Sequence, residues 1–330
     1  MTGCGIFIRP LIFDNRWRGA IVQCRVPAIA HLMTPFLLLI VCLALGALIA
    51  RIAKPPPTLA AGLNWWVVNV ALPALVLHLI PQLRFTFDMW FLVASQWLVF
   101  AAGWSLFALL GKARHWSRAR IGALTLVCGL GNTAFVGYPM IEALRGQPGL
   151  ALAVVADQVG CFVMLAVGGA IVTAVYSGAT LRASNIAKRV VLFPPFLALL
   201  VGVATGMVGG WPSAVDTILN RIGDSLVPLA LFSVGLQVRM QFTAGQMGAA
   251  ASGLLFKLCL APLIIYGLGI ACGIGGLTLT ISVLQSAMAP MISAAILAEQ
   301  HDLEPRLANL VLVTGIVLSF VTVPLIDTML

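Results

Sequence analysis

The chain has 330 residues, 61% of them hydrophobic and 9% charged, and carries a formal net charge of +9. A water-soluble domain carries about 25% charged residues, so this composition excludes one and points to a protein embedded in a bilayer. The seven cysteines (Cys4, Cys24, Cys42, Cys128, Cys161, Cys259 and Cys272) show no CxxC or His/Cys grouping, which leaves no disulfide framework or metal site to read from spacing. No nucleic-acid motif or cofactor motif accompanies the positive charge, which therefore speaks of orientation in a membrane.

The first 32 residues bring Arg9, Arg16, Arg18 and Arg25 beside an apolar run too short and broken to span. Residues 1–32 are expected to be an extension that is not native, with Met33 as the biological start. Ten apolar segments follow, at about 34–52, 60–80, 89–110, 121–144, 150–176, 191–208, 217–238, 248–271, 277–298 and 307–329. Each suits a helix crossing about 30 Å of hydrocarbon. The short alternating segments of a barrel are missing. The connections "RIAKPPP", "GKARHWSRAR" and "RGQPG" carry turn and charge signals.

With the N-terminus outside, the cytoplasmic loops hold eleven basic residues: Arg51, Lys54, Lys112, Arg114, Arg118, Arg120, Arg182, Lys188, Arg189, Arg239 and Arg306. The opposite loops hold three, Arg84, Arg145 and Arg221. That bias orients the chain with both termini outside.

Two segments contain material that ruins a lipid-facing helix. The fourth holds "GNTAFVGYP", Gly131 to Pro139, and the ninth holds "QSAMAP", Gln285 to Pro290. Moving Asn132 forward by 155 residues lands inside the second stretch, and 155 is also the offset that separates Pro73 in "NVALPALVL" from Pro228 in "DSLVPLALF". The chain therefore reads as a first five-helix repeat (33–177), a cytoplasmic linker (178–190) and a second repeat (191–330). An odd number of spans per repeat inverts the second relative to the first. Backbone groups freed by a break cannot face lipid, so the two breaks are expected to meet near the midplane and line a site. Half-helix N-termini aimed at that meeting point would favour an anion. Single prolines such as Pro262 and Pro324 need no such reading.

"GNTAFVGYP", "ADQVG" (Ala156 to Gly160), "GDSLVPLALFSVGLQ", "LQSAMAPMISAAILAEQH" and "LNWWVVNVALPALVLH" together resemble the auxin efflux carrier family, with plant PIN carriers and bacterial malonate and organic-anion permeases among its members. The likeness runs from Thr34 to the C-terminus. It implies an all-α integral membrane fold of ten transmembrane helices in two inverted five-helix repeats with broken crossover helices four and nine, shared with bile-acid and sodium/proton carriers. Spans one, two, six and seven would form a scaffold and the other six a moving transport domain. Where bacterial members often pair two prolines in span nine, Ala289 precedes Pro290 here, which implies a softer second break.

Asn132, which the resemblance marks as substrate-contacting, can donate and accept and so can cap a half-helix or hold a carboxylate. With it the substrate-binding candidates are Thr133, Pro139, Gln285, Ser286 and Pro290. Pro139 and Pro290 act through the backbone, and Gln285 and Ser286 serve equally well as packing glue. Asp157, Lys257 and Asp224 are intramembrane charges and candidates for an ion or proton relay. A structural ion pair between Asp157 and Lys257 is the plainer reading of that pair. Gln158, one residue from Asp157, should point about 100° away on an α-helix. Glu142, Arg145, Glu299, His301, Asp302 and Glu304 fall near span ends as interfacial groups.

The expectation is a secondary transporter of small organic anions in a bacterial inner membrane, working by elevator-type alternating access and exporting carboxylates such as malonate or auxin-like acids. Its partners are the anion and the lipid bilayer, with no nucleic acid; a homodimer is left open. "GKARH" lacks P-loop spacing, and no nucleophile–base or HExxH arrangement suggests an enzyme. A sodium- or proton-coupled uptake carrier and a membrane sensor or channel on the same fold are the alternatives.

Overall fold

A computed structural model describes residues 28–53, 55–56, 58–179, 183–237 and 245–330. The expected N-terminal extension falls on residues 1–27, outside the described residues, and on the first turn of the first helix. Where every backbone polar group must be satisfied within its own segment, uniformly apolar runs become helices. Among the described residues the fold is all helical. In chain order it comprises α1 (Ala28–Ile52), α2 (Thr58–Trp66), α3 (Leu72–Leu79), α4 (Trp90–Ala113), α5 (Arg118–Gly129), α6 (Gly137–Val155), α7 (Phe162–Ser177) and α8 (Ala183–Val191). Then come α9 (Pro194–Met207), α10 (Ser213–Gly223), α11 (Leu226–Gln237), α12 (Met247–Leu255), α13 (Ala261–Ala271), α14 (Gly276–Ser286), α15 (Ile292–Gln300) and α16 (Pro305–Asp327). Wider π-turns at Val67–Ala71, Ala156–Cys161 and Phe256–Leu260 join α2 to α3, α6 to α7 and α12 to α13.

Six helical stretches among the described residues are long and apolar enough to cross a membrane: Thr58–Gln82, Phe87–Ala113, Gly137–Ser177, Ser213–Gln237, Met247–Ala271 and Pro305–Asp327. The third of these doubles back. At Gly146 the backbone leaves the helix (φ 64°, ψ −165°), a conformation that glycine adopts without penalty. The Tyr138 hydroxyl then lies 2.8 Å from Asp157 Oδ2, whereas nineteen residues of unbroken helix would separate them by about 28 Å. Local signals fix the other ends. Ser117 Oγ caps α5 by accepting the Arg120 N–H at 3.1 Å, and prolines open α9 and α16.

The helices gather into two groups. In the first, α1 packs on α11, α3 on α9 and α10, and α2 on α11. In the second, α4 packs on α5 and α14, α6 on α14, α7 and α15 on α5, and α12 and α15 on α16. The α1–α11 crossing is tight because it is made by Gly46 and Gly235: a methyl group on Gly235 would collide with the Leu43 carbonyl oxygen. Gly235→Ala should therefore lose about 1–3 kcal/mol of stability through overpacking, read as a lower thermal midpoint in detergent, and Gly62→Ala, which meets nothing within 4 Å, serves as the control.

Polar bonds respect the grouping. Within the first group His78 Nδ1 pairs with Asp216 at 2.7 Å and the Trp211 indole donates to the Leu77 carbonyl at 2.8 Å. Within the second, Arg120 pairs with Glu304 at 3.0 Å and Arg145 with Asp327 at 2.7 Å. Among the described residues no side-chain hydrogen bond or ion pair joins one group to the other. The seam is apolar: Leu39, Val76 and Leu231 share a core with Val136, Ile141 and Met288, and Phe162 stacks on Phe193 with ring centroids 3.8 Å apart.

Candidate functional site: two helix breaks paired in the interior

Both anticipated breaks are present. The helix stops after Gly129 and resumes at Gly137; it stops again after Ser286 and resumes at Ile292. The second break is shorter but complete, so a single proline at 290 suffices and the softening expected from Ala289 does not occur. The unwound stretches run antiparallel and pair, with a β-bridge between Gly131 and Pro290 and the Asn132 N–H donating to the Ala289 carbonyl at 2.7 Å. Each break thus satisfies part of the backbone that the other leaves bare. The pairing demands small residues. A Cβ on Gly131 would stand 3.0 Å from Lys257 Nζ, one on Gly137 2.8 Å from Gln285 Oε1, and one on Gly315 of α16 would collide with the ring carbons of Pro290. Pro139 sits in the first turn of α6, where a helix has no internal partner for the missing N–H.

Asn132 is 3% exposed. Its Oδ1 accepts the Phe135 N–H at 3.2 Å and so caps the turn into α6, while its Nδ2 has no partner. Gln285, fully buried, reaches across both breaks: Nε2 makes long donations to the Thr133 carbonyl at 3.5 Å and the Ala153 carbonyl at 3.4 Å, and Oε1 is unpartnered. Lys257 is also fully buried and its Nζ has no hydrogen-bond partner. Thus a donor amide, an ammonium and an acceptor carbonyl, all unpaired, border one unwound segment. Orphaned buried polar atoms are rare in folded proteins and call for an explanation. Ser286 does not join them, because its hydroxyl turns back to the Val283 carbonyl at 2.6 Å.

Asp157 is held by three donors: the Thr133 hydroxyl, the Tyr138 hydroxyl at 2.8 Å and Gln158 Nε2 at 2.7 Å. Among the described residues it makes no ion pair with Lys257, so the plainer reading of that pair is corrected. The reason is local supply, since three neutral donors already bond the carboxylate. Gln158 does not point away from Asp157 either. The two lie in a π-turn, which takes more residues per turn and brings neighbours closer together than an α-helix does. Asp224 lies apart, exposed between α10 and α11.

Sequence reasoning missed Tyr138, Cys161 and Gly131. The Cys161 thiol donates to the Gly131 carbonyl at 3.3 Å, and Tyr138 bonds Asp157 as described. A signal for Tyr138 was present: it and Asp157 are equally distant from the Gln147–Pro148 turn, so a hairpin there sets them opposite each other. The two half-helices α6 and α15 begin at Gly137 and Ile292, 155 residues apart, and each N-terminus carries about half a unit of positive charge.

An all-helical bundle with membrane-crossing stretches, interrupted inside by paired polar breaks, is the build of a membrane transporter. A family model described as "Membrane transport protein" matches residues 31–187 and 179–326. The chain belongs to this family, that of the auxin efflux carriers. It is 28% identical over 268 residues to an "Uncharacterized transporter" of Methanothermobacter thermautotrophicus, a match covering 81% of this chain and 87% of the relative. Over 287 residues it is 26% identical to the "Uncharacterized transporter YfdV" of Escherichia coli K12, with the same two coverages, 81% and 87%. A shorter match, 28% over 110 residues and covering 33% of this chain and 19% of the relative, is to "Auxin efflux carrier component 6" of Arabidopsis thaliana.

Proposed function

We propose that the chain is a secondary carrier of small organic anions, carboxylates above all, which crosses a bacterial inner membrane ten times in two inverted five-helix repeats with both termini outside. The observation that carries this reading is the antiparallel pairing of two unwound segments bordered by the unpartnered Asn132 Nδ2, Lys257 Nζ and Gln285 Oε1. Two donors, one cationic, suit a carboxylate. Asn132 and Lys257 contact it; Gln285, Pro139 and Pro290 shape the pocket, and Thr133 ties it to Asp157. Asp157 and Lys257 serve as the relay that reports occupancy. The repeat offset of the half-helices supports the inverted layout. The apolar seam supports movement of the second helix group against the first, since sliding there breaks no polar bond among the described residues.

With no nucleotide site in the sequence, the driving force is a gradient or the membrane potential. An anion leaving a negative-inside cell gains about 2.3 kcal/mol per charge per 100 mV, which favours export. The test is counterflow by purified protein in liposomes against a panel of mono- and dicarboxylates, with and without sodium. Saturable, sodium-independent counterflow is the expected result. A conductance without counterflow would make the protein a channel, and strict sodium dependence would make it an uptake carrier.

A further inference from the structure

The nine residues of α8 are too few to cross a membrane: at 1.5 Å per residue they cover about 13 Å, less than half of the roughly 30 Å of hydrocarbon. Local chemistry sets the helix apart from its neighbours. α7 stops at Gly178, whose φ of 77° makes a left-handed cap. Pro194 holds Phe193 extended (φ −72°, ψ 119°), so α8 cannot run on into α9. The helix is thus a separate piece of the connection between α7 of the second group and α9 of the first.

Its sequence, "ASNIAKRVV", divides by periodicity. Ala183, Ile186, Ala187, Val190 and Val191 recur at helical spacing, and the polar residues between them include Lys188 and Arg189. In the fold, Ile186 and Val190 are half-buried, while Ser184 and Lys188 are exposed. Ala187, Val191 and the following Leu192 are apolar and yet uncovered, the last two 52% and 66% exposed. Among the described residues Lys188 forms no ion pair. Further cations gather where α7 ends: Arg118 donates to the Val175 carbonyl in its last turn, and Lys112 and Arg114 are exposed at the end of α4. Against them stand the exposed acids Glu299 and Asp302 at the end of α15. A short helix with an uncovered apolar edge beside a basic one suits a bilayer surface, with the apolar edge among acyl chains and the cations at the phosphates.

We infer that α8 is an interfacial helix that binds anionic phospholipid, and that it thereby fastens the connection between the two helix groups to the leaflet on the basic-loop face. Charge complementarity selects this occupant. A zwitterionic headgroup has no net charge to offer, whereas each basic residue near an anionic surface is worth about a five-fold preference. The inference holds whichever solute the protein carries.

The test uses the full chain with Cys4, Cys24, Cys259 and Cys272 replaced by serine and a fluorophore on one new cysteine. The positions are Ala187, Ser184 and, as control, the exposed Gly267 of α13; the background without a new cysteine is the blank. The protein is placed in phosphatidylcholine vesicles with a small fraction of lipid bearing a nitroxide on its acyl chain, either phosphatidylglycerol or phosphatidylcholine. From the quenching, the association ratio of phosphatidylglycerol over phosphatidylcholine should be about five to thirty at Ala187→Cys and about one at Gly267→Cys. Iodide should quench Ser184→Cys more than Ala187→Cys. Adding Lys188→Gln and Arg189→Gln should bring the ratio at Ala187→Cys to about one. Should that variant fail to fold, ionic strength of about 1 M, where the screening length is about 3 Å, should lower the ratio in the protein that keeps both cations. A ratio of one at Ala187→Cys, the same ratio at Gly267→Cys, or a ratio indifferent to both substitution and salt overturns the inference. So does iodide reaching Ala187→Cys as freely as Ser184→Cys. Loss of the preference on adding soluble glycerol 3-phosphate also overturns it, and would mark a site for free phosphate instead of lipid.

Discussion

Replacing Asn132 by alanine should reduce counterflow by about 10–100-fold, the loss of one hydrogen bond to a charged partner, while the protein still inserts and purifies as a single species. The side chain does two things in the structure, and two substitutions separate them. Oδ1 caps the turn into α6 through the Phe135 N–H, and Nδ2 is free. Asn132→Asp keeps an oxygen for the cap but replaces the donor with negative charge. If capping were the whole role, worth about 1 kcal/mol, Asn132→Asp would transport normally and Asn132→Ala would be only mildly impaired. If the free amide meets the substrate, Asn132→Asp should be the more damaging, because it sets a carboxylate against a carboxylate. Normal counterflow by Asn132→Asp would remove Asn132 from the site.

Lys257→Met should raise the thermal midpoint in detergent and abolish anion counterflow. An ammonium that is fully buried and has no hydrogen-bond partner is a liability to the fold, and replacing a poorly compensated buried charge with an apolar side chain of similar length recovers about 1–3 kcal/mol. Methionine keeps the packing of the stem while the charge disappears. The opposite signs of the two effects are what make the experiment informative. A structural lysine would lower the midpoint when removed, and a bystander would leave transport intact. Stability gained at the expense of activity is the signature of a group retained for its task.

The breaks could be read from the chain because polar and helix-breaking residues inside apolar segments have few tolerable placements. "GNTAFVGYP" and "QSAMAP" therefore announced both the interruptions and, through their shared offset, each other. Asn132 and Gln285 fell at the pairing for the same reason. The surroundings of Asp157 were not legible. Its partners come from a reversal at Gly146 and from a π-turn, and neither leaves a periodic trace in hydropathy. Assuming an ideal α-helix sent Gln158 the wrong way, and it gave no reason to bring Tyr138 near. Ser286 shows the limit of inference from residue type: a hydroxyl at the right position can spend its one proton on its own helix. Asp224 was placed by counting along the helix, and counting along a helix does not show which face is covered: at the junction of α10 and α11 its side chain is exposed.

On the proposed movement of one helix group against the other, the grease-like seam decides which variants slow the protein down. Dispersion contacts have no fixed direction and lose little as surfaces glide past one another, so neighbouring positions of two such bodies would differ little in energy, and among the described residues no polar contact would act as a lock. Friction then depends on surface relief. Shaving a side chain at Leu39 or Val76 should smooth the path, a bulkier one should act as a wedge, and a newly introduced hydrogen-bonding pair spanning the boundary would work as a brake.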